Sequence, residues 1–356
     1  MQCTRSNCAA DYVPAFDGLR GIAAVAVVLA HCSAGHGFLA CLNSVVGLGA
    51  LGVDLFFALS GFLITGILLR VRGGGAPGRG MAQFGARRAL RIFPLYFAAV
   101  AVYVVLGNQG VRENIWWFVT YTVNIGKSLG VKGWAPLNHF WTLAVEEQFY
   151  ALWPILVLAC PARTMGPACL FLAGLSFATR CALEFTGAND FAVTQLTFTC
   201  LEPLALGSWF AVKLHDGHWS RQVAVKIAWA GLVTTIACMT LSSGLQDAFG
   251  RAAHALLFAP LLPLLAQSRL GRTSSFLCSQ PLRFLGTISY GLYVWHAPVI
   301  DAVYRLTPFD ALTKQWPPAA TGLALFGVVL PASIGVAFVS WITLERVFLR
   351  LKSRFQ

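Results

Sequence analysis

Asp17-Gly18-Leu19-Arg20-Gly21-Ile22-Ala23-Ala24-Val25-Ala26-Val27-Val28-Leu29-Ala30-His31 is the stretch whose reading decides the fold. It is apolar enough for a membrane-spanning helix, yet it holds an arginine and a histidine. Each of these needs water or a polar partner inside lipid. Eleven positions separate Arg20 from His31. At 100° per residue the interval turns about 1100°, roughly 20° past three full turns, and rises roughly 16 Å. Both side chains therefore share one face, one near the membrane edge and the other well inside. A stripe of this kind is either the wall of a solute pathway or part of a catalytic site.

The rest of the chain has the same character. Over 356 residues only 11% are charged and the mean hydropathy is +0.68, whereas a soluble domain carries about a quarter charged residues. Apolar runs near the length of a bilayer crossing recur at 17–34, 46–69, 92–107, 139–160, 168–186, 196–213, 227–243, 250–267, 286–305 and 321–344. The expectation is an all-α, polytopic transmembrane helical bundle of about ten spans. No hydrophilic block is long enough for a separate soluble domain, so residues 1–356 are expected to form a single transmembrane domain. Its first apolar run is read as a span rather than a cleaved signal peptide. The stretch Ile115–Gly126 is short and holds Thr120, Thr122 and Asn124, and is expected to be non-spanning or re-entrant outside the membrane.

The net charge of +12 points to topology rather than to nucleic acid. With the N-terminus inside and ten spans, 19 of the 26 Lys and Arg residues fall on the cytoplasmic side and seven outside, as the positive-inside rule requires. An eleventh span at Ile115–Gly126 would invert everything after it and spoil the asymmetry. Both termini are therefore expected in the cytoplasm. The ten cysteines show no paired metal spacing, and Cys160, Cys169, Cys200 and Cys238 lie within apolar runs as small core residues. His215 and His218 have no Cys or acidic cluster beside them, so no metal site is expected. Gly47-Leu48-Gly49-Ala50-Leu51-Gly52 fits a dinucleotide pattern but has no strand before it, and reads better as close helix packing.

The remaining polar residues concentrate in a few places. The most basic loop runs into Arg87-Arg88-Ala89-Leu90-Arg91-Ile92-Phe93-Pro94-Leu95-Tyr96. On a helix Arg88 and Arg91 share a face, which suits bidentate phosphate binding; topology enforcement and contact with anionic headgroups are the competing roles. His139-Phe140-Trp141-Thr142-Leu143-Ala144-Val145-Glu146-Glu147-Gln148-Phe149-Tyr150 opens the next apolar run, with His139 and Glu146 on one face. Glu146 and Glu147 point about 100° apart, so one of them at most is expected to face a common polar interior, with Glu147 supporting. The competing role for Glu146 is a structural ion pair with Arg20 or another buried arginine. Glu202 and His296 are isolated midspan groups that read as hydrogen-bonded members of the bundle. Glu345, at the end of the last run before a basic tail, reads as a salt bridge.

Taken together these stretches resemble the acyltransferase 3 family of bacterial membrane O-acyltransferases. Phe16 to Gly21 with His31 is similar to its Arg-x10-His signature, and Phe57-Ala58-Leu59-Ser60-Gly61-Phe62-Leu63 to its F-x-x-S-G-F-L stretch. Arg87 through Tyr96 and His139 through Tyr150 resemble its next two signatures. Ile288 to His296 and Leu344-Glu345 match more loosely. Two departures stand out: Cys200 occupies a position where many members carry an arginine before the acid Glu202, and Val347 replaces a proline that often follows Glu345.

The resemblance implies a multi-pass enzyme of the bacterial inner membrane. It would move an acyl group, acetyl in the first instance, from cytoplasmic acyl-CoA to a hydroxyl of a cell-surface or exported glycan. The partners it implies are acyl-CoA, that hydroxyl-bearing acceptor and membrane lipid, with no metal and no nucleic acid. Arg88 and Arg91, helped by Arg87, would hold the coenzyme's phosphates. His31 would act as general base or brief acyl carrier. Glu146 would orient an imidazole or compensate Arg20, and His139 would meet the acceptor. Arg20 or Ser60 would stabilise the oxyanion. The alternative class is a proton-coupled transporter using the same polar stripe.

Overall fold

The computed structural model describes residues 12–33, 47–74, 77–267 and 270–351, and these are helical throughout with no strand among them. The longer helices are α1 (Pro14–Ser33), α2 (Leu48–Gly73), α3 (Pro77–Val105), α4 (Trp141–Ala159), α5 (Ala162–Phe185), α6 (Leu201–His215), α7 (Arg221–Cys238), α8 (Ser243–Phe258), α9 (Ser289–Leu306) and α10 (Pro318–Ser340). Each apolar run expected to span coincides with one of them. Among the described residues six stretches are both long and apolar enough to cross a membrane: Pro14–Cys32, Leu48–Gly73, Gly78–Val105, Ala162–Phe185, Ser243–Ala266 and Ala320–Leu351. That is fewer than the ten expected. Helix α6 has only 15 residues, a rise of about 22 Å against a hydrocarbon core of about 30 Å, and α4 carries both Glu146 and Glu147. The chain termini, 1–11 and 352–356, lie outside the described residues, and with them Lys352 and Arg354 of the basic tail.

Between α3 and α4 the chain makes three short helices, Gln109–Glu113, Ile115–Val119 and Val123–Ser128, none long enough to cross a bilayer. They are fastened to the bundle by polar side chains. Gln148 Nε2 donates to the carbonyl of Tyr121 at 2.8 Å and to Asn124 Oδ1 at 3.0 Å, and Asn124 donates to Thr197 Oγ1 at 2.9 Å.

Helix α1 packs against α2, α9, α10 and the short helix Gln280–Thr287. Small residues let backbones meet here. A Cβ on Gly286 would lie 2.0 Å from the carbonyl oxygen of Asp17, and one on Gly52 would lie 2.7 Å from that of Ala23. The closest pair is α2 with α6, where a Cβ on Gly61 would sit 2.0 Å from the Leu204 carbonyl oxygen and one on Gly207 would sit 2.2 Å from that of Ala58. This is the small-residue packing that substitutes for hydrophobic driving force between helices in lipid. It pins Ser60, the neighbour of Gly61, at a fixed depth.

Buried ion pairs hold the outer flank of α6. Arg180 of α5, almost fully buried, brings Nη2 to 2.5 Å from Glu202 Oε1, and Ser176 donates to Oε2 at 2.7 Å. Arg251 of α8 donates to Asp54 Oδ1 at 2.9 Å and to Cys200 Sγ at 2.7 Å, while His254 Nδ1 lies 2.8 Å from Asp54 Oδ2. Glu202 thus draws its positive partner from α5, and Cys200 takes its hydrogen bond from α8. Glu202 is the satisfied bundle group its isolation suggested.

Candidate active site

Arg20 from α1, Ser60 from α2, Arg88 and Arg91 from α3, Glu146, Glu147 and Tyr150 from α4, and Tyr290 and Tyr293 from α9 line one cavity enclosing about 910 Å³ of space, its open mouth included. Helix α3 brings Arg88 and Arg91 to it together because they are one turn apart; Arg87, one step round the helix, is not among the lining residues. Both Glu146 and Glu147 line the cavity, although one at most was expected to. The reason is geometric: a cavity that wraps round a helix collects side chains from more than one face.

The polar groups of the cavity are directed. Ser60 Oγ donates to Glu146 Oε1 at 2.7 Å and accepts from Tyr150 OH at 3.0 Å, so the single hydroxyl hydrogen of Ser60 is committed to the carboxylate. Arg88 stacks its guanidinium 5.3 Å above the Tyr150 ring and 5.8 Å from that of Phe84. Arg20 pairs with Asp17 at 2.8 Å, and Asp17 also accepts from Tyr12. Among the described residues the ion pair of Arg20 is therefore local rather than with Glu146. The charges of Arg20, Arg88 and Arg91 act on one another. Such a grouping is relieved by an anion. Oε1 of Glu147 is buried with no hydrogen-bond partner among the described residues. Glu345 sits in a π-helical turn, Trp341–Glu345, where Ser340 Oγ donates to it at 3.4 Å and it feels the charge of Arg91. Glu345 is buried among the described residues.

The histidines form a second group behind one wall of the cavity. Thr142 and Tyr293 belong to that wall; their hydroxyl oxygens are 2.5 Å apart and lie 3.0 and 3.1 Å from the carbonyl oxygen of His139. Behind them the rings of His139 and His296 have centroids 4.7 Å apart, and His296 lies 4.8 Å from His31. His31 is exposed, while His139 and His296 are buried. His31 and Glu146, both singled out in the sequence, make separate hydrogen bonds: His31 Nδ1 with the carbonyl of Val27 at 2.9 Å, Glu146 with Ser60.

Sequence reasoning missed Thr142, Tyr293 and the membership of His296. Thr142 follows His139 by three and precedes Glu146 by four, the spacing of a shared helix face, so it was findable. Tyr293 and His296 share a face on α9, but nothing local says that this face meets α1 and α4.

A family model described as an acyltransferase domain matches residues 13–341. Peptidoglycan O-acetyltransferase OatA of Listeria monocytogenes is 28% identical over 334 residues, 85% of this chain and 51% of that protein. The putative peptidoglycan O-acetyltransferase YrhL of Bacillus subtilis is 28% identical over 322 residues, covering 81% and 49%. O-acetyltransferase OatA of Staphylococcus aureus is 27% identical over 325 residues, covering 81% and 51%. The chain thus spans about half the length of these curated relatives. No solved structure matches it. A match across nearly the whole helical bundle, including every residue that lines the cavity, makes the chain a member of this acyltransferase-domain family of helical membrane proteins.

Proposed function

We propose that the protein transfers an acetyl group from acetyl-CoA, bound from the cytoplasm, to a hydroxyl of a cell-surface glycan, with peptidoglycan the acceptor class named for its relatives. It would do so in a bacterial inner membrane, with about ten crossings and both termini cytoplasmic. One observation carries the reading: three arginines and a hydrogen-bonded Ser60–Glu146 pair share a cavity whose Thr142–Tyr293 wall backs onto three histidines.

Arg88 and Arg91 hold the coenzyme's phosphates, matching forked guanidiniums to phosphate oxygens, and Arg87 adds charge beside them. The acyl end of the donor extends past Ser60 and Glu146, which Tyr150 and Ser60 keep oriented. Arg20, roughly 16 Å along α1 from His31, adds positive charge at the donor end of the cavity with Arg88 and Arg91. His31 is the base. Its Nδ1–H is spent on the Val27 carbonyl, which leaves Nε2 unprotonated and free to take the acceptor's hydroxyl proton. His139 lies deeper, near the path by which the acceptor approaches.

The test is transfer of labelled acetyl from acetyl-CoA to a glycan fragment by the purified full chain in detergent. Transfer by the parent protein, with loss in His31→Ala and weaker coenzyme A binding in Arg88→Ala and Arg91→Ala, supports the reading. A folded parent that neither binds coenzyme A nor transfers acetyl overturns it. Unchanged affinity in both arginine variants returns these residues to topology alone.

A further inference from the structure

His31, His296 and His139 come from three elements far apart in the chain: α1, α9 and the short 3-10 turn Asn138–Phe140. Their rings form a row. Centroids are 4.8 Å apart for His31 and His296 and 4.7 Å for His296 and His139, with planes crossed at 60° in both pairs. Those separations allow ring nitrogens of neighbours to reach an N–H···N contact of about 3 Å.

Hydrogen bonds determine where each ring keeps its hydrogen. A carbonyl oxygen only accepts, so the nitrogen facing it must donate. Nδ1 of His31 lies 2.9 Å from the Val27 oxygen, Nδ1 of His296 lies 2.6 Å from that of Tyr293, and Nε2 of His139 lies 3.3 Å from that of Val294. In each neutral ring the other nitrogen is then a bare acceptor. Nε2 of His296 and Nδ1 of His139 are buried and have no hydrogen-bond partner among the described residues. Orphaned acceptors in a protein interior are costly and uncommon. The three rings do not form a group suited to a metal ion among the described residues. Among the described residues their hydrogen-bond partners are backbone carbonyls, none a carboxylate. Lys127 is the other ionisable group whose charge is felt at His139. What the row lacks is one proton.

We infer that His296 is a positioning residue acting through His31, its bare Nε2 sharing with the acceptor oxygen, in a three-centre hydrogen bond, the hydrogen that His31 Nε2 gains during acyl transfer. The inference rests on the reading of His31 as the base. The acceptor O–H bond breaks and its proton goes to His31 Nε2. The C–O bond forms at the acyl carbon and the thioester C–S bond breaks. The thiolate then takes the proton back from the row and leaves as the thiol, returning all three rings to neutrality. The row holds the proton only between those events. A neutral acceptor suits this place better than a carboxylate: a buried anion beside His31 would draw in a proton at rest and block the base.

The experiment compares His296→Phe and His296→Gln, the second keeping an acceptor oxygen. In the acetyl-transfer assay His296→Phe is expected to lower kcat about 100-fold with KM for acetyl-CoA within about twofold of the parent. His296→Gln recovers part of that loss. The double variant His31→Ala/His296→Phe is no slower than His31→Ala, because residues acting as a unit are not additive. Parental kcat in His296→Phe, or losses that multiply in the double variant, overturns the inference. A second readout needs neither donor nor acceptor. In protein labelled with 15N-histidine, a 15N–15N coupling through the His31–His296 hydrogen bond is expected once the row takes up a proton, in a titration carried from about pH 7 down to about pH 3, and is lost in His296→Phe. A parent protein that shows the coupling but no acetyl transfer leaves the row standing and overturns the proposed reaction. Absence of the coupling across that range overturns the row.

Discussion

Ser60 of α2 donates its hydroxyl hydrogen to Oε1 of Glu146 of α4 across 2.7 Å, although the two residues are 86 positions apart in the chain. Tyr150, one turn beyond Glu146, donates to the same serine oxygen at 3.0 Å. The three groups make a directed chain that ends on the carboxylate, and all three line the cavity. Ser60→Ala leaves the Tyr150 hydroxyl without its acceptor and Glu146 without a donor, at a cost of about 1–3 kcal/mol. The expected result is a kcat about tenfold lower with coenzyme A affinity retained, since the phosphate-binding arginines are untouched. Steady-state kinetics with parallel binding isotherms checks it. A KM effect alone would assign Ser60 to donor binding instead.

Gly61 and Gly66 lie on the same helix in different surroundings. A Cβ on Gly61 would sit 2.0 Å from the Leu204 carbonyl oxygen, whereas nothing lies within 4 Å of one on Gly66. Gly61→Ala must push α2 and α6 apart, and overpacking of rigid backbone costs about 3 kcal/mol or more. Gly66→Ala is neutral or slightly stabilising, since alanine is the better helix former. Thermal unfolding of both variants in one detergent gives the comparison, and equal melting temperatures would contradict the close packing.

Arg180 and Glu202 are a buried pair that neither helix could tolerate half-made. Arg180→Met strands the Glu202 carboxylate among apolar neighbours and is expected to destabilise by about 3–5 kcal/mol. Arg180→Met/Glu202→Leu removes both charges and recovers most of that loss. A double-mutant cycle on unfolding free energy reads the coupling directly. Additive losses would mean that the two side chains do not depend on each other.

Lys127 is fully buried in a short helix outside the membrane-crossing segments, with Nζ 2.6 Å from Asn138 Oδ1 and 4.6 Å from the Phe191 ring centre. Burial lowers its pKa to about 8 from the ordinary 10.5. The unfolded chain therefore binds more protons than the folded one between those values, and stability rises with pH across that window. Below about pH 8 the buried charge opposes folding in full. Relative to Lys127→Met, the parent is expected to gain stability as pH climbs from about 8 to 10.5. Unfolding temperatures of both proteins across the window check it, and a constant difference would exonerate the ionisation of Lys127.

Much of the site was legible because its residues repeat at helical intervals. Arg88 and Arg91 reach the cavity together as their three-residue spacing requires, and Arg20, Ser60 and Glu146 line it with them. Each apolar run falls on a helix, since a chain in lipid has little choice but to satisfy its backbone internally. The number of crossings was less legible. Length and apolarity together select six stretches, because helices lined with polar groups or kept short inside the bundle do not look like lipid-facing ones.

The stripe from Asp17 to His31 shows the division most plainly. By itself the sequence determined that it is a helix, that Arg20 and His31 share a face, and that the chain around it belongs among membrane acyltransferases. Only the tertiary structure decided what that face meets: Arg20 on a cavity with Arg88 and Glu146, and His31 against a histidine 265 positions away. Periodicity is a property of one helix and can be read from its residues. Which helices adjoin depends on small-residue contacts such as Gly52 on Ala23 and Gly286 on Asp17, and those are relations between segments that no local pattern encodes.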